Sequence, residues 1–424
     1  MYQEKFFQFI WKYQLLKPIE LKTTNHQLIE VNYQGDFHHH SGPDFQNAKL
    51  RIGGTQWVGN LEIHTRSSDF TLHHHERDEN FKNIILHVVY ENDKKIPLLE
   101  KMNIPTLELK DYIPLEAFRR YDHLQNCKDE IACGGELKLV PPIIITNQME
   151  SRMVERLEYK CEEIKANLSK NNHNWEETFY WMLGKHWGMK VNSEPFEWLV
   201  RSTPLTLIKR HQDHLMQLEA LLLGQAGLLE QEFHDIYPKK LQNEYIFLRG
   251  KYRLTSISRH SWKYLRMRPS NFPTQRLAGL ASLFHHRPNF FQIILMEKKL
   301  KEALNSFQTP VSAYWQTHYV PDKMAGKQQS GSGKHLIQNI FINCVIPFLF
   351  CYGRERGIAE LEQKAMDWSS QLSGEKNHIT NQWISKGVKP QNSIDSQGMI
   401  QQFTYYCKQK KCLECTVGTY LLKS

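Results

Sequence analysis

The stretch SGPDFQNAKLRIGGTQWVGNLEIH, residues 41–64, decides the fold of the amino-terminal part of this chain. Apolar and polar residues alternate on both sides of Gly53 and Gly54, a pattern that predicts two strands joined by a two-residue hairpin turn. In the register set by such a turn Leu50 lies opposite Trp57, so the apolar faces of the two strands coincide.

The apolar pattern of the first strand changes phase between Phe45 and Ala48. An unbroken register would place Asp44 opposite Ile63, on the wrong face to meet Glu62. One extra residue in a β-bulge between Phe45 and Ala48 explains the change of phase. We therefore expect a bulge that brings Asp44 opposite Glu62.

Two adjacent carboxylates repel each other, and a divalent cation between them removes the repulsion. Oxygen ligands of this kind suit Mg²⁺ or Mn²⁺. The site predicted here has Asp44 and Glu62 as metal ligands, the Ile63 carbonyl as a further ligand, and His64 on the same face of the strand. His64 would orient water or stabilise the phosphate, and the grouping suits phosphodiester hydrolysis.

The alternative is an ordinary hairpin without a metal. Asp44 would then cap the turn that follows Gly42 and Pro43, and Glu62 would pair with Lys49 or Arg51 on a solvated face.

The pattern of the whole chain predicts an α+β fold in which an α/β domain precedes a large, mostly helical one. Residues 1–112 read as helix, three strands, helix, strand and strand, with the helices at 4–16 and 67–81 and the strands at 28–33, 44–52, 56–64, 84–90 and 105–110. We expect a connector at 113–144, a helical domain at 145–392, and a carboxyl-terminal helix with a Cys-rich segment at 393–424. A length of 424 residues suits several domains.

This order of elements, with Pro-Asp at one strand and Glu-x-basic at the next, resembles the PD-(D/E)xK nuclease superfamily over residues 1–112. The resemblance implies that Asp44 and Glu62 bind the metal, that His64 stands in the place of a catalytic Lys, and that Glu4 is an additional acidic residue on the first helix. A neutral imidazole lacks the permanent charge of Lys. A catalytically inactive nucleic-acid-binding or scaffold protein on the same fold is therefore the alternative, and hydrolysis of another phosphoester also remains open.

A second resemblance covers nearly the whole chain. The segments SGPDFQNA, WVGNLEIHTRSSDF, NIILHVVYEND, GQAGLL, RMRPSNFPTQRLA and YCKQKKCLEC are similar to a bacterial family catalogued as domain of unknown function 2851. This resemblance implies no activity.

Three cysteines, Cys407, Cys412 and Cys415, lie close together near the carboxyl terminus. Their spacing, in a Lys-rich segment that favours thiolates, is typical of most of a zinc or iron–sulfur site. Reduced cysteines without a metal are the alternative.

A fourth ligand is needed, and Cys133 is the first candidate because the glycines that follow it permit close approach of the backbone. Cys127 and Cys351 come next. Some nucleases of the superfamily named above hold an iron–sulfur cluster with one distant Cys and a carboxyl-terminal trio, but there the lone Cys precedes the nuclease core.

The formal charge of +9 favours an anionic partner such as nucleic acid. Arg266, Arg268 and Arg276 would bind phosphate in a groove, although such arginines also cap helix ends and pair with buried acids. His73 and His75 are further candidates for binding the substrate phosphate or the metal, with solvated histidines as the alternative.

The sequence has neither the pattern of a signal peptide at its start nor an uninterrupted apolar run long enough to span a membrane. We expect a cytoplasmic protein without a membrane partner, and the oligomeric state stays open.

Overall fold

The computed structural model describes residues 2–38, 42–72, 83–325 and 333–424. The chain divides into two compact units, the first made of Met1–Gln148, Asn381–Lys389 and Ile400–Ser424 and the second of Met149–Thr380 and Pro390–Met399. The stretch 113–144, expected as a connector, lies in the first unit, as does most of the Cys-rich segment.

The secondary structure confirms an α+β protein with its main sheet in the amino-terminal part. The strands are β1 (Leu21–Lys22), β2 (Leu28–Tyr33), β3 (Asp36–Phe37), β4 (Phe45–Ile52), β5 (Thr55–Arg66), β6 (Ile84–Glu91), β7 (Thr106–Glu108), β8 (His318–Val320) and β9 (Lys323–Met324). The helices of the first 148 residues are α1 (Glu4–Lys12), α2 (Asp69–Leu72), α3 (Pro97–Lys101), α4 (Leu115–Asn126) and the start of α5 (Pro142–Ser169).

The remaining helices are α6 (Trp175–Trp187), α7 (Met189–Ser202), α8 (Leu205–His211), α9 (Leu215–Gln225), α10 (Ile236–Tyr252), α11 (Pro273–His286), α12 (Phe290–Met296), α13 (Leu300–Ser306), α14 (Ala313–Thr317), α15 (Lys334–Ile340), α16 (Ile346–Arg356), α17 (Ala359–Gln371), α18 (His378–Ser385), α19 (Ser393–Gln402) and α20 (Thr416–Lys423). The strands predicted for the amino-terminal part are all present, with ends that shift by at most two residues. The helix expected at 67–81 is described only as α2, and residues 73–81 of that prediction lie outside the described residues.

The main sheet is mixed. Its strand order is β1-β2-β4-β5-β6-β7, with β3 paired to β4; β5, β6 and β7 run parallel, and the other pairs are antiparallel. Residues 84–89 of β6 are all buried, which explains why they are apolar except for His87.

The predicted hairpin and bulge are both confirmed. Ile52 pairs with Thr55 across a two-residue turn, and the β4–β5 register shifts between Phe45 and Ala48 so that Phe45 pairs with Leu61. Asn47 has φ +58°, a left-handed conformation that Asn adopts more readily than most residues. The residue that forms the bulge thus suits the backbone that the bulge requires.

Helix α1 packs on β5 and closes one side of the first core. Phe7, Ile10 and Trp11 are fully buried, and each stabilises the fold by about 1.5–3 kcal/mol relative to an exposed side chain. The Trp11 indole N–H also donates to the Gln34 carbonyl (3.1 Å). The rigid contact of α1 with the sheet fixes where the polar residues on its first turns lie.

In the part of the second unit that the structure describes, the regular structure is helical apart from the β8–β9 hairpin. Helix α6 begins at a side-chain cap, since the Asn174 side chain accepts the Glu177 N–H (3.0 Å). Helices α12 and α13 are separate. Glu297 follows α12 and its carboxylate accepts the Lys299 N–H (2.9 Å), which starts a new helix.

Among the described residues, Lys334–Arg356 is the one helical segment long and apolar enough to cross a membrane, and 78% of its most apolar window is buried inside the protein. This burial fits the core helix of a soluble protein. In the same unit Cys161 and Cys351 form a disulfide. Helices α5 and α16 bring these two sulfurs into bonding distance.

Candidate active site

The bulge in β4 turns Asp44 towards β5. The Ile63 N–H donates to Asp44 Oδ2 (3.0 Å), and the Asp44 N–H donates to Glu62 Oε2 (3.3 Å). The two acidic residues therefore meet, as the sequence predicts, and each carboxyl also binds a backbone amide. Arg51, which the alternative interpretation paired with Glu62, lies near Glu30 (3.8 Å).

Helix α1 adds two polar side chains to this pair. The Gln8 side-chain amide donates to Asp44 Oδ1 (2.8 Å) and to Glu4 Oε1 (3.3 Å), so one nitrogen bridges two carboxyl groups. Sequence reasoning selected Glu4 and missed Gln8. A signal was available, because residues four apart lie on one face of a helix.

Burial is the main cause of an upward shift in the pKa of all three carboxyls. It raises the pKa of Glu4 to about 7, with a further increase from the Asp44 charge. It raises the pKa of Asp44 to about 6 although hydrogen bonds from Ile63 and Gln8 act in the opposite direction. For Glu62, burial and then repulsion by Asp44 raise the pKa to about 9. Carboxyls whose ionisation is opposed by burial and by one another fit a site for a cation.

His64 lies next to Glu62 but is completely buried. Its Nε2 is 3.8 Å from Glu62 Oε1, and its Nδ1 contacts His87 Nε2 at 3.0 Å. His87 belongs to β6, where it pairs in register with Glu62, and is also buried. The sequence does not link His87 to this site, because the parallel β5–β6 pairing cannot be read from the local pattern.

The carboxyl oxygens of Asp44, Glu62 and Glu4 do not surround a common metal position. Within the described ranges, no group of three or more His, Cys, Asp or Glu side chains is arranged to hold a metal ion. The hydrogen bonds from the Ile63 and Asp44 amides explain this, since they turn an oxygen of each carboxyl towards the backbone. The oxygen donor set fits Mg²⁺ or Mn²⁺, provided that small side-chain rotations bring the carboxyl oxygens together.

The predicted substrate-binding arginines lie in two environments. Arg266 and Arg268 are exposed. Arg276 is buried, and its guanidinium donates to the Trp187 carbonyl (3.3 Å) and to Asn271 Oδ1 (2.8 Å). Arg276 thus has the structural role that was the alternative for these arginines and is not available to a substrate. His73 and His75 lie outside the described residues.

The structure also reduces the number of candidates for the fourth cysteine ligand. Cys133 lies in the first unit together with Cys407, Cys412 and Cys415; burial raises the pKa of the Cys133 thiol, and the charges of these three raise it further. Cys351 is excluded as the fourth ligand by its disulfide with Cys161.

A family model described as protein of unknown function DUF2851 matches residues 4–378 of the chain. Neither the curated proteins nor the solved structures contain a match.

Proposed function

The chain belongs to the protein family of unknown function DUF2851, and we propose that it is a divalent-cation-dependent hydrolase of nucleic-acid phosphodiesters with a nuclease-like amino-terminal fold. One observation carries the proposal: a bulge in β4 and the first turns of α1 bring the carboxyls of Asp44, Glu62 and Glu4 near one another in a partly buried site.

In this proposal Asp44 and Glu62 hold Mg²⁺ or Mn²⁺, with the Ile63 carbonyl as a further ligand. The cation supplies activation of water and neutralises charge on the phosphate. Gln8 orients Asp44 and Glu4 through its amide. Loss of a proton from Glu62 accompanies binding, because burial and repulsion keep that carboxyl protonated otherwise.

The burial of His64 changes the role that it takes. A side chain with 0% exposure that lies between Glu62 and His87 acts on the carboxyl rather than on the phosphate. We assign it as a positioning residue that orients Glu62, in place of the direct contact with water or phosphate that the sequence suggested.

Two features of the second unit and the charge of the whole chain support nucleic acid as the substrate. Arg266 and Arg268 are exposed for phosphate contacts. A cavity of about 420 Å³ is lined by Arg259, His260 and Tyr264 among others, and the exposed Arg259 and His260 side chains suit phosphate contact. The net charge of +9 favours approach of a polyanion.

A non-catalytic nucleic-acid-binding or scaffold protein is the second candidate. The burial of His64 in the place of a catalytic Lys favours it, as does the present lack of convergence of the carboxyl oxygens on a metal position within the described residues.

The test is cleavage of end-labelled single- and double-stranded DNA and RNA with Mg²⁺, Mn²⁺ or EDTA. We expect cation-dependent products from the wild type, and none from Asp44→Asn or Glu62→Gln. Glu30→Gln is the matched control, because Glu30 is an exposed carboxylate of the same sheet. Salt-sensitive binding without cleavage of any substrate would select the non-catalytic candidate, and a D44N variant as active as the wild type would refute the assigned site.

A further inference from the structure

Four free cysteines from two distant parts of the sequence come together in the first unit. Cys133 follows α4, whereas Cys407, Cys412 and Cys415 lie between α19 and α20. Cys133 and Cys412 pack against the same apolar cluster, which also contains the core of the α/β sheet.

A single amide nitrogen links two of the sulfurs. The Gln402 Nε2 donates to Cys415 Sγ at 3.2 Å and to Cys407 Sγ at 3.8 Å. A second glutamine, Gln148, completes this network: its Nε2 donates to Gln402 Oε1 (3.1 Å) and its Oε1 accepts the Thr416 N–H (2.8 Å). The Cys407 and Cys415 sulfurs therefore share one polar position inside the unit.

The backbone between the cysteines is tightly shaped. Lys410 has φ +53°, and Cys412–Glu414 forms a 3₁₀ turn that brings Cys412 and Cys415 to adjacent positions. Gly418 on α20 lies against this turn, and a Cβ at that position would be 2.2 Å from the Cys412 carbonyl oxygen. The Lys410 ammonium group donates to the carbonyls of Cys127 and Asp129 (2.8 Å each), which joins the turn to the segment that carries Cys133.

The charges of neighbouring thiols also raise the pKa of three of these cysteines, Cys133, Cys407 and Cys412. Burial raises the pKa of Cys133, and the charges of Cys415, Cys407 and Cys412 raise it further. Burial followed by repulsion from Cys415 raises the pKa of Cys407 to about 12 and that of Cys412 to about 11. A bound cation would reverse this effect, because it favours the thiolate form.

We propose that Cys133, Cys407, Cys412 and Cys415 together bind a thiophilic metal centre, a zinc ion or an iron–sulfur cluster, that fastens the carboxyl-terminal segment to the α/β unit. Each thiol releases its proton to solvent as its sulfur binds. No three of the cysteines that the structure describes are already placed around one metal position. Binding therefore draws the sulfurs inward and displaces the Gln402 amide, towards a metal–sulfur distance of about 2.3 Å for zinc.

This site is independent of the proposed hydrolase activity, and its test measures metal directly. The full chain is purified without oxygen, and its zinc, iron and acid-labile sulfide are quantified. We expect about one zinc per chain, or iron with a similar amount of sulfide; either result supports the proposal and identifies the centre. Cys133→Ser and Cys412→Ser should lower the metal content at least fivefold.

Two cysteines provide controls. Cys127→Ser changes a half-buried thiol of the same unit, whose charge is the weakest of the influences on the pKa of Cys412. Cys344→Ser changes a buried thiol of the second unit. Both should keep the metal of the wild type. If a variant misfolds, titration of metal-free wild type with Zn²⁺ against a chromogenic chelator, and reconstitution with iron and sulfide, decide the matter. A folded wild type that takes up neither would overturn the proposal, as would metal retention in the Cys133 and Cys412 variants.

Discussion

The backbone N–H of Asp44 donates to the carboxyl of Glu62 across the β4–β5 pair, at an N···O distance of 3.3 Å. This hydrogen bond exists because the bulge shifts the register between Phe45 and Ala48. It holds one acidic residue against another in a partly buried place, where burial and then the Asp44 charge raise the pKa of Glu62. The stability of the first unit should therefore depend on pH and on divalent cations.

The stability should fall as pH rises. Unfolded Glu62 loses its proton near the ordinary pKa of 4.5, whereas the folded form keeps it to about 9. Between these values the folded state binds more protons than the unfolded state, so the free energy of unfolding decreases with increasing pH. Asp44 acts in the same direction up to about pH 6.

Denaturant unfolding of the wild type and of Glu62→Gln between pH 5 and pH 9 measures this dependence. The amide cannot ionise, so the free energy of unfolding of the variant should decrease much less with rising pH. At pH 8 the variant should therefore be more stable than the wild type. Equal slopes in the two proteins would show that Glu62 is not the responsible group.

Mg²⁺ or Mn²⁺ should stabilise the wild type. A ligand that binds only the folded state adds about 2.7 kcal/mol at a concentration of 100 times its Kd. We expect an increase in Tm at pH 8 that is absent in Asp44→Asn and retained in Glu30→Gln, measured by calorimetry in buffers of equal ionic strength. An equal increase in D44N would place the cation elsewhere.

Asn47 should be sensitive to substitution by β-branched residues. Its left-handed backbone costs an ordinary L-residue about 1–2 kcal/mol and a β-branched residue more. Asn47→Val should therefore destabilise the first unit and weaken cation binding, because Asp44 depends on the bulge for its direction. Asn47→Gly, which tolerates the same φ, is the control. Isothermal titration calorimetry measures the cation affinity. Unchanged affinity in N47V would show that cation binding does not depend on the bulge.

Two glycines of the second unit should respond oppositely to alanine. A Cβ at Gly224 would be 2.0 Å from the Tyr245 ring. A Cβ at Gly250 would have no described atom within 4 Å outside its chain neighbours and the nearby backbone of its own helix. Gly224→Ala should destabilise by about 1–3 kcal/mol through overpacking. Gly250→Ala, in the interior of α10, should stabilise by about 0.5–1 kcal/mol. Chemical denaturation measures both, and a tolerated G224A would contradict the close packing of α9 on α10.

Arg259 should contribute to nucleic-acid affinity if its cavity receives the ligand. Loss of one phosphate contact lowers the salt dependence of log K by about 1. Arg259→Ala should show this change in fluorescence anisotropy titrations across a range of salt concentrations, whereas Arg210→Ala, an exposed arginine of the same unit, should not. Identical slopes for the two variants would remove the cavity from the proposed binding surface.

Local sequence determined the elements of this protein and one unusual feature of the backbone. The alternation around Gly53 and Gly54 predicted the hairpin, and the change of phase after Phe45 predicted the bulge, because the two faces of a strand follow a strict period of two. The Asp44–Glu62 meeting follows from that bulge and could be predicted from about twenty residues.

Contacts between distant segments were decided only by the tertiary structure. The parallel pairing of β5 with β6 places His87 against His64, and the packing of α1 on the sheet brings Gln8 to Asp44. Burial likewise turned Arg276 inward, although its local sequence is the same basic segment that leaves Arg266 exposed. Such contacts depend on how whole elements pack, and the apolar faces that drive packing do not specify which polar side chains meet.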